Sequence, residues 1–283
     1  MTSSRIAVSP PDFDSAERQW RRGSGIRHRS SRALLIALAI VLPACRPRTP
    51  RAALPRYVAH AMGEIDGHAY TNSLEAWRAN YAKGCRLFEV DLWMTPDQRL
   101  VAFHDGMEAA LDLPRGFSHP QFMRSRIFDR YTPLDADGLA GILSEKRDWK
   151  IVTDTKSDLG ASLETLCGAL KRNGVACADR VIPQIYDPEA DLKTVEGLGF
   201  RQMIFTIYLL RLEDREIVKI ARANPLIVAV TMPPARANER MVQSLSKSGV
   251  RVYVHTVNGP AIERRFRDGI WGVYTDSGCR APR

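Results

Sequence analysis

Glu89 and Asp91 stand two residues apart in "RLFEVDLWM", an otherwise apolar run, and "KIVTDTK" carries Asp154 and Lys156 at the same spacing. Thirteen residues after Asp91 a second short β-rich run ends at His104-Asp105, while "RYVAHA" carries His60. Side chains two apart on a strand share a face, so Glu89 points with Asp91 and Asp154 with Lys156. A carboxylate pair beside a third carboxylate is too costly to bury unless a cation neutralises it. Three oxygen donors suit a hard divalent cation, Mg2+ or Ca2+, better than zinc, which favours nitrogen and sulfur. Lys156 adds a positive charge suited to a phosphate oxygen. His60 and His104 titrate near neutrality and can act as general base and general acid in phosphodiester cleavage.

These residues need a scaffold that brings them together. From Arg56 onward, β-rich runs alternate with amphipathic stretches. The strands expected are "RYVAHA", "RLFEVDLWM", "KIVTDTK", "RVIPQIY", "RQMIFTIYLL", "PLIVAVTMP", "RVYVHTVN" and "IWGVYTDS". Helices are expected over "SLEAWRANYAKG", "LDADGLAGILSEKRDW", "LGASLETLCGALKRNG", "LEDREIVKIARANP" and "ARANERMVQSLSKSG", several with a glycine or asparagine stop signal. Alternation of this kind implies a parallel sheet, and eight units are the number that closes a (β/α)8 TIM barrel. An open doubly wound sheet is the rival, but no glycine-rich phosphate loop follows any strand. Active sites of such barrels lie at the C-terminal strand ends. His60, Glu89, Asp91, Asp154, Lys156, Gln184, Asn258 and Asp276 all fall there. A lone histidine is ordinarily a satisfied core or surface residue, which is the reading kept for His28, His68 and His119. Convergence on one barrel mouth outweighs it for His60 and His104.

The ordered segments "AHAMGEIDGHAYTNSLEAW", "FEVDLWMTPDQRLVAFHD", "TDTK", "HTVNG" and "GVYTDSG" resemble the motifs of glycerophosphodiester phosphodiesterases, members of the phosphatidylinositol-specific phospholipase C-like barrel superfamily. The resemblance runs from about His60 to Gly278. It implies a phosphoric diester hydrolase in which Glu89, Asp91 and Asp154 bind the metal, His60 and His104 form the acid-base pair, and Lys156 contacts phosphate. Its substrates would be glycerophosphodiesters or related lipid-derived diesters, lysophospholipids among them. A lyase of phospholipase D or C type, releasing a cyclic phosphate, is the alternative within enzymes. A non-catalytic envelope lipoprotein that binds a ligand is the alternative outside them.

The chain departs from the family pattern at three places. His60-Ala61-Met62 stands where the family usually reads His-Arg-Gly, so an expected phosphate-binding arginine is missing. Asp154 replaces the usual glutamate, a shorter arm also seen in the related sphingomyelinase D toxins. His255 replaces the usual tryptophan before "TVN", which alters the pocket wall or adds a third titrating group. Residues 105–135 are long for a barrel loop and form an insertion. Its Phe117, Phe122 and Phe128 either cover an alkyl chain or pack the loop on the barrel, the second being the simpler role.

The 283 residues, 45% of them apolar, can bury a sizeable core in one large α/β domain. The formal charge of +9 is unevenly spread: residues 1–51 hold ten arginines and three acids, leaving 31 basic and 29 acidic residues beyond. A nearly neutral body gives nucleic-acid binding little support. Residues 1–45 have the order of an export signal: a basic stretch from Arg18 to Arg32, the apolar "ALLIALAIVLPAC", and then a proline-bearing exit. "LPAC" resembles a bacterial lipobox, which would make Cys45 a membrane anchor and place the protein in the cell envelope; the alternative is a buried core helix with an accidental cysteine. Residues 46–55 read as a linker and 56–283 as the barrel. Of the other cysteines, Cys167 and Cys177 either pair in an oxidising compartment or stay free, and no CxxC pair supports a thiolate metal site. The leader generates a first prediction: labelling with a palmitate analogue should mark the wild type and not Cys45→Ser, and equal labelling of both would remove the anchor.

Overall fold

In the computed structural model of the chain, residues 54–279 are described. The export signal over 1–45, the Cys45 anchor and all but the last two residues of the 46–55 linker lie outside the described residues. Among the described residues no helix is long and apolar enough to cross a membrane.

The strands are β1 (Tyr57–Ala59), β2 (Leu87–Met94), β3 (Leu100–Ala102), β4 (Lys150–Thr155), β5 (Val181–Ile185), β6 (Met203–Thr206), β7 (Ile227–Met232), β8 (Arg251–Val254) and β9 (Gly272–Thr275). All but β3 pair in parallel in the order β1-β9-β8-β7-β6-β5-β4-β2, and β2 returns to β1 through Ala59 and Phe88. The ring is therefore closed: an eight-stranded (β/α)8 barrel, as the alternation predicts. The short run before His104 is β3, which lies outside the ring and pairs antiparallel with the upper end of β2.

Helices α1 (Leu74–Ala82), α2 (His119–Arg124), α3 (Ala136–Glu145), α4 (Leu159–Arg172), α5 (Cys177–Arg180), α6 (Ala190–Gly197), α7 (Asp214–Ala223), α8 (Glu239–Lys247) and α9 (Ala261–Arg267) fill the connections. Ser73, Asp135, Asp158 and Asn238 cap α1, α3, α4 and α8 by accepting the N–H three residues on. Neither α6 nor α9 stands among the expected helices. Each buries one side chain, Val195 and Ile262 respectively, so neither writes a wide apolar stripe into the sequence.

Strand parity divides the apolar residues into two cores. Inside the barrel lie Val58, Leu87, Val152, Ile182, Ile204, Val228, Ala229, Tyr253 and Tyr274. Leu54 joins them at the N-terminal end, where its carbonyl and that of Pro55 accept from Trp271 Nε1 (3.2 Å) and the Tyr253 hydroxyl (2.6 Å). The intervening residues, among them Phe88, Val90, Leu92 and Ile151, pack outward against the helices. On β9 the first inward position is Gly272, because a Cβ there would collide with the Tyr253 ring and the Arg56 carbonyl.

The insertion over 105–135 builds a third core. Phe117 and Phe122 stack at 5.4 Å beneath Phe103, with Met107, Leu111, Ile127 and Tyr131 around them. Phe128 lies over His68 at 4.0 Å. The aromatic side chains thus pack the loop itself. His119, read as a satisfied histidine, is one: its Nε2 lies 2.8 Å from Oδ2 of Asp135, the α3 cap, which ties the insertion to the barrel helices.

Among the described residues two disulfides are present. Cys167–Cys177 joins α4 to α5, resolving the open alternative. Cys85–Cys279, which spacing does not reveal, joins the residue before β2 to the segment after β9 across 194 residues. Chain-entropy reasoning gives roughly 5 kcal/mol for so long a loop and roughly 3 for a ten-residue one. Removing the longer bond as Cys85→Ser/Cys279→Ser should therefore lower Tm by roughly 6–20 °C. Cys167→Ser/Cys177→Ser should lower it less. Non-reducing thermal melts of the two double variants check this ordering.

Candidate active site

The site begins with parity on β2. Leu87 faces into the barrel, so Glu89 and Asp91 do too, and the register with β4 sets Asp91 beside Asp154. The three carboxylates offer ligand atoms that all lie within 4.8 Å of one another. Glu89 and Asp91 are buried and Asp154 is partly exposed.

Each acid is held differently. Glu89 Oε2 accepts the Ala61 N–H at 2.6 Å. Asp91 and Asn72 form a reciprocal pair, with Asn72 Nδ2 donating to Oδ2 at 2.8 Å and the Asp91 N–H donating to Asn72 Oδ1 at 3.1 Å. Asp154 receives Lys156 Nζ on Oδ2 at 2.8 Å and the Tyr186 hydroxyl on Oδ1 at 2.6 Å. Lys156 Nζ also lies 3.2 Å from Asp91 Oδ1 and so bridges two of the acids. Glu89 Oε1 and Asp91 Oδ1 are buried and accept no hydrogen bond. An all-oxygen donor set with two such atoms fits a hard divalent cation.

The turn after β1 orients the Ala61 N–H through backbone that disfavours side chains. Ala61, Met62 and Gly63 all have positive φ, at 46°, 70° and 84°. Non-glycine residues there cost of order 1–3 kcal/mol each, and such strain gathers at functional sites. Asn72 and Asn80 offset it: the Asn72 N–H donates to the Ala61 carbonyl (3.1 Å), and Asn80 Nδ2 donates to the carbonyls of Met62 (3.1 Å) and Glu64 (3.2 Å).

His60 follows β1 in this turn. Its Nδ1 lies 2.8 Å from Asp276 Oδ1, while Asp276 Oδ2 accepts from Asn258 Nδ2 at 2.8 Å. With Nδ1 turned to a carboxylate, Nε2 faces Glu89 Oε2 at 4.0 Å. His104 Nδ1 lies 2.7 Å from the Asp105 carbonyl, an acceptor, so Nδ1 carries the proton and Nε2 is left for exchange. Tyr70 stands edge-on to both rings, at 5.0 Å from His60 and 4.9 Å from His104.

The electrostatics follow from these partners. Burial opposes the charged form of His60, but the Asp276 hydrogen bond and the charges of Glu89, Asp276 and Asp91 outweigh it and raise the pKa to about 9. Burial, then the neighbouring Asp91, pushes Glu89 well above the ordinary carboxyl range. Asp91 suffers the same burial, yet His104, Lys156, His60 and the Asn72 hydrogen bond hold it at about 2. Of the two, Glu89 thus holds its proton the more tightly. His255 is depressed to about 4 by burial, then by the charges of His60 and Lys156, and is uncharged at neutral pH.

The barrel mouth brings together Glu89, Asp91, Asp154, Lys156 and His60, with His104 joined to them through Tyr70 and its charge acting on Asp91. Gln184 sits deeper, buried and accepting from the Tyr274 hydroxyl at 2.7 Å. Asp276 and Asn258, expected at strand ends without a role, orient His60. Tyr186 and Tyr208 carry on the inward parity of Gln184 and Thr206 and could have been found by extending it two residues. Tyr70 and Asn72 come from a loop, where no period exists to find them.

No protein-family model matches the sequence, and no curated protein does. Solved structures do match. A protein described as a glycerophosphoryl diester phosphodiesterase from Agrobacterium tumefaciens aligns at TM-score 0.66 and 15% identity, over 79% of this chain and 94% of its own. An Oleispira antarctica phosphodiesterase, solved with the product sn-glycerol-3-phosphate, aligns at 0.64 and 14%, over 79% and 94%. The glycerophosphodiester phosphodiesterase of Thermotoga maritima aligns at 0.60 and 20%, over 80% and 96%. What these similarities establish is the fold: the chain is a (β/α)8 barrel of the same architecture as glycerophosphodiester phosphodiesterase structures.

Proposed function

We propose that the protein is a metal-dependent phosphodiesterase that hydrolyses glycerophosphodiesters, or related lipid-derived diesters, to a phosphomonoester and an alcohol. The observation that carries this reading is the acid cluster within 4.8 Å, in which Glu89 Oε1 has no partner and Asp91 Oδ1 has only the Lys156 ion pair, flanked by two histidines whose Nδ1 atoms are both engaged. The sequence motifs and the shared fold with the phosphodiesterase structures support it.

Glu89, Asp91 and Asp154 would hold Mg2+ or Ca2+, which when bound supplies charge to a phosphoryl oxygen. Lys156 adds a second positive charge for the phosphate, and no arginine helps it from position 61. Asp276 fixes the His60 Nε2 toward the mouth, and in its uncharged form His60 takes the proton of the attacking water, whose oxygen joins phosphorus as the alkoxide leaves. His104 gives a proton from Nε2 to the leaving alkoxide. The two disulfides agree with an oxidising compartment, and with the export signal they support a periplasmic, lipid-anchored protein.

Purified protein should cleave glycerophosphodiesters in a reaction stopped by EDTA and restored by Mg2+, Ca2+ or Mn2+, with phosphorus NMR reading the products. A cyclic phosphate as the final product would make it a lyase, and no turnover would make it a binding protein. His104→Ala should lose roughly 10²–10⁴-fold on alkyl diesters and much less on nitrophenyl diesters, while His60→Ala should lose on both. Near-normal alkyl turnover by both variants would end the acid-base assignment.

The His60 shift also fixes a pH dependence for the metal-free protein. A pKa raised from 6.5 to about 9 stabilises the fold fully below about pH 6.5, and that contribution is lost as pH rises through 9. Melts in EDTA should show Tm falling across this window, with the slope flattened in His60→Gln.

A further inference from the structure

His255 follows β8 directly, where the resembling family carries tryptophan. Its backbone N–H donates to the Met232 carbonyl at 3.1 Å, which fixes the residue at the rim. Its ring lies edge-on to Tyr208 at 5.1 Å and to Tyr274 at 6.1 Å. β8 neighbours β9, which neighbours β1, so His255 shares one side of the mouth with Asp276 and His60.

Its Nε2 is buried and no group among the described residues hydrogen-bonds it. Burying a polar atom unpaired is costly, so such an atom beside a reaction centre points to a ligand. Glu89 Oε1 is in the same condition, and a cation held by the acid cluster would account for it. A cation does not account for His255, which lies outside the acid cluster. The neighbouring polar groups are otherwise engaged: the Tyr186 hydroxyl donates to Asp154, and the Tyr208 hydroxyl lies 3.3 Å from that of Tyr186.

An uncharged imidazole offers one donor and one acceptor, whereas an indole offers a donor alone. Its natural partner is a neutral group able to do both, a hydroxyl. An anionic phosphate oxygen is better served by Lys156. We propose that His255 is a specificity-determining residue that hydrogen-bonds a hydroxyl of the substrate's alcohol moiety, so that the site selects polyhydroxylated diesters over plain alkyl ones. This inference rests on the phosphodiesterase reading.

The test uses two diesters with one leaving group: glyceryl p-nitrophenyl phosphate and propyl p-nitrophenyl phosphate, which differ in hydroxyls alone. Wild type should prefer the glyceryl ester. His255→Phe should lower kcat/KM for it by about 10- to 100-fold, chiefly through KM, and change the propyl ester less than about threefold. His255→Trp, which installs the family's residue, should show the same loss of preference and serves if the phenylalanine variant does not fold. Equal effects on both esters, or no wild-type preference, would overturn the His255 assignment while leaving the phosphodiesterase reading intact. Failure of wild type to cleave either ester, with metal supplied, would overturn both.

Discussion

Mutual repulsion among three carboxylates is the constraint around which the mouth of this barrel is organised. Glu89 and Asp91 are buried on one strand face and Asp154 is their neighbour in register, so the like charges cannot separate without breaking the β2–β4 ladder. The protein relieves the repulsion unequally. Asp91 and Asp154 share the Lys156 ammonium, whereas Glu89 has one backbone N–H and His60 for company. That inequality is why the Glu89 carboxyl is pushed up while that of Asp91 is held down.

Other structure is arranged around this arrangement. The Ala61 N–H reaches Glu89 because three consecutive residues take left-handed backbone, and that turn persists because Asn72 and Asn80 bind its carbonyls. Asn72 also holds Asp91, so one side chain supports both the turn and the acid that follows it in space. Met62 at φ 70° is notable: the resembling family places glycine there, and this chain keeps the conformation without the residue best suited to it. The shorter Asp154 is likewise accommodated, with the Tyr186 hydroxyl meeting one oxygen and Lys156 the other.

The fold was legible because two periods are written plainly into the sequence. Alternation by two on β2 and β4 separates Leu87, Glu89 and Asp91 from Phe88, Val90 and Leu92, and Val152 and Asp154 from Ile151. Broad apolar stripes mark α4 and α8, while α6 and α9 bury too little to leave one. The acids, Lys156 and the histidines could be read from residue type and strand end together. Tyr70 and Asn72 could not, because a loop has no period and their roles depend on where the turn after β1 sends them. Cys85–Cys279 was equally hidden: its partners are 194 residues apart and meet only because the ring closes.

That closure has a consequence for how the site comes into being. β1 finds one of its two neighbours in β9, so the first-made strand of the ring waits for the last. The hydrogen bond that aims His60 crosses the same seam, joining residues 216 positions apart. A growing or truncated chain that lacks β9 has no Asp276 to aim the imidazole. On the proposed mechanism, completion of the polypeptide, rather than formation of the acid cluster, is then the event that would arm the site.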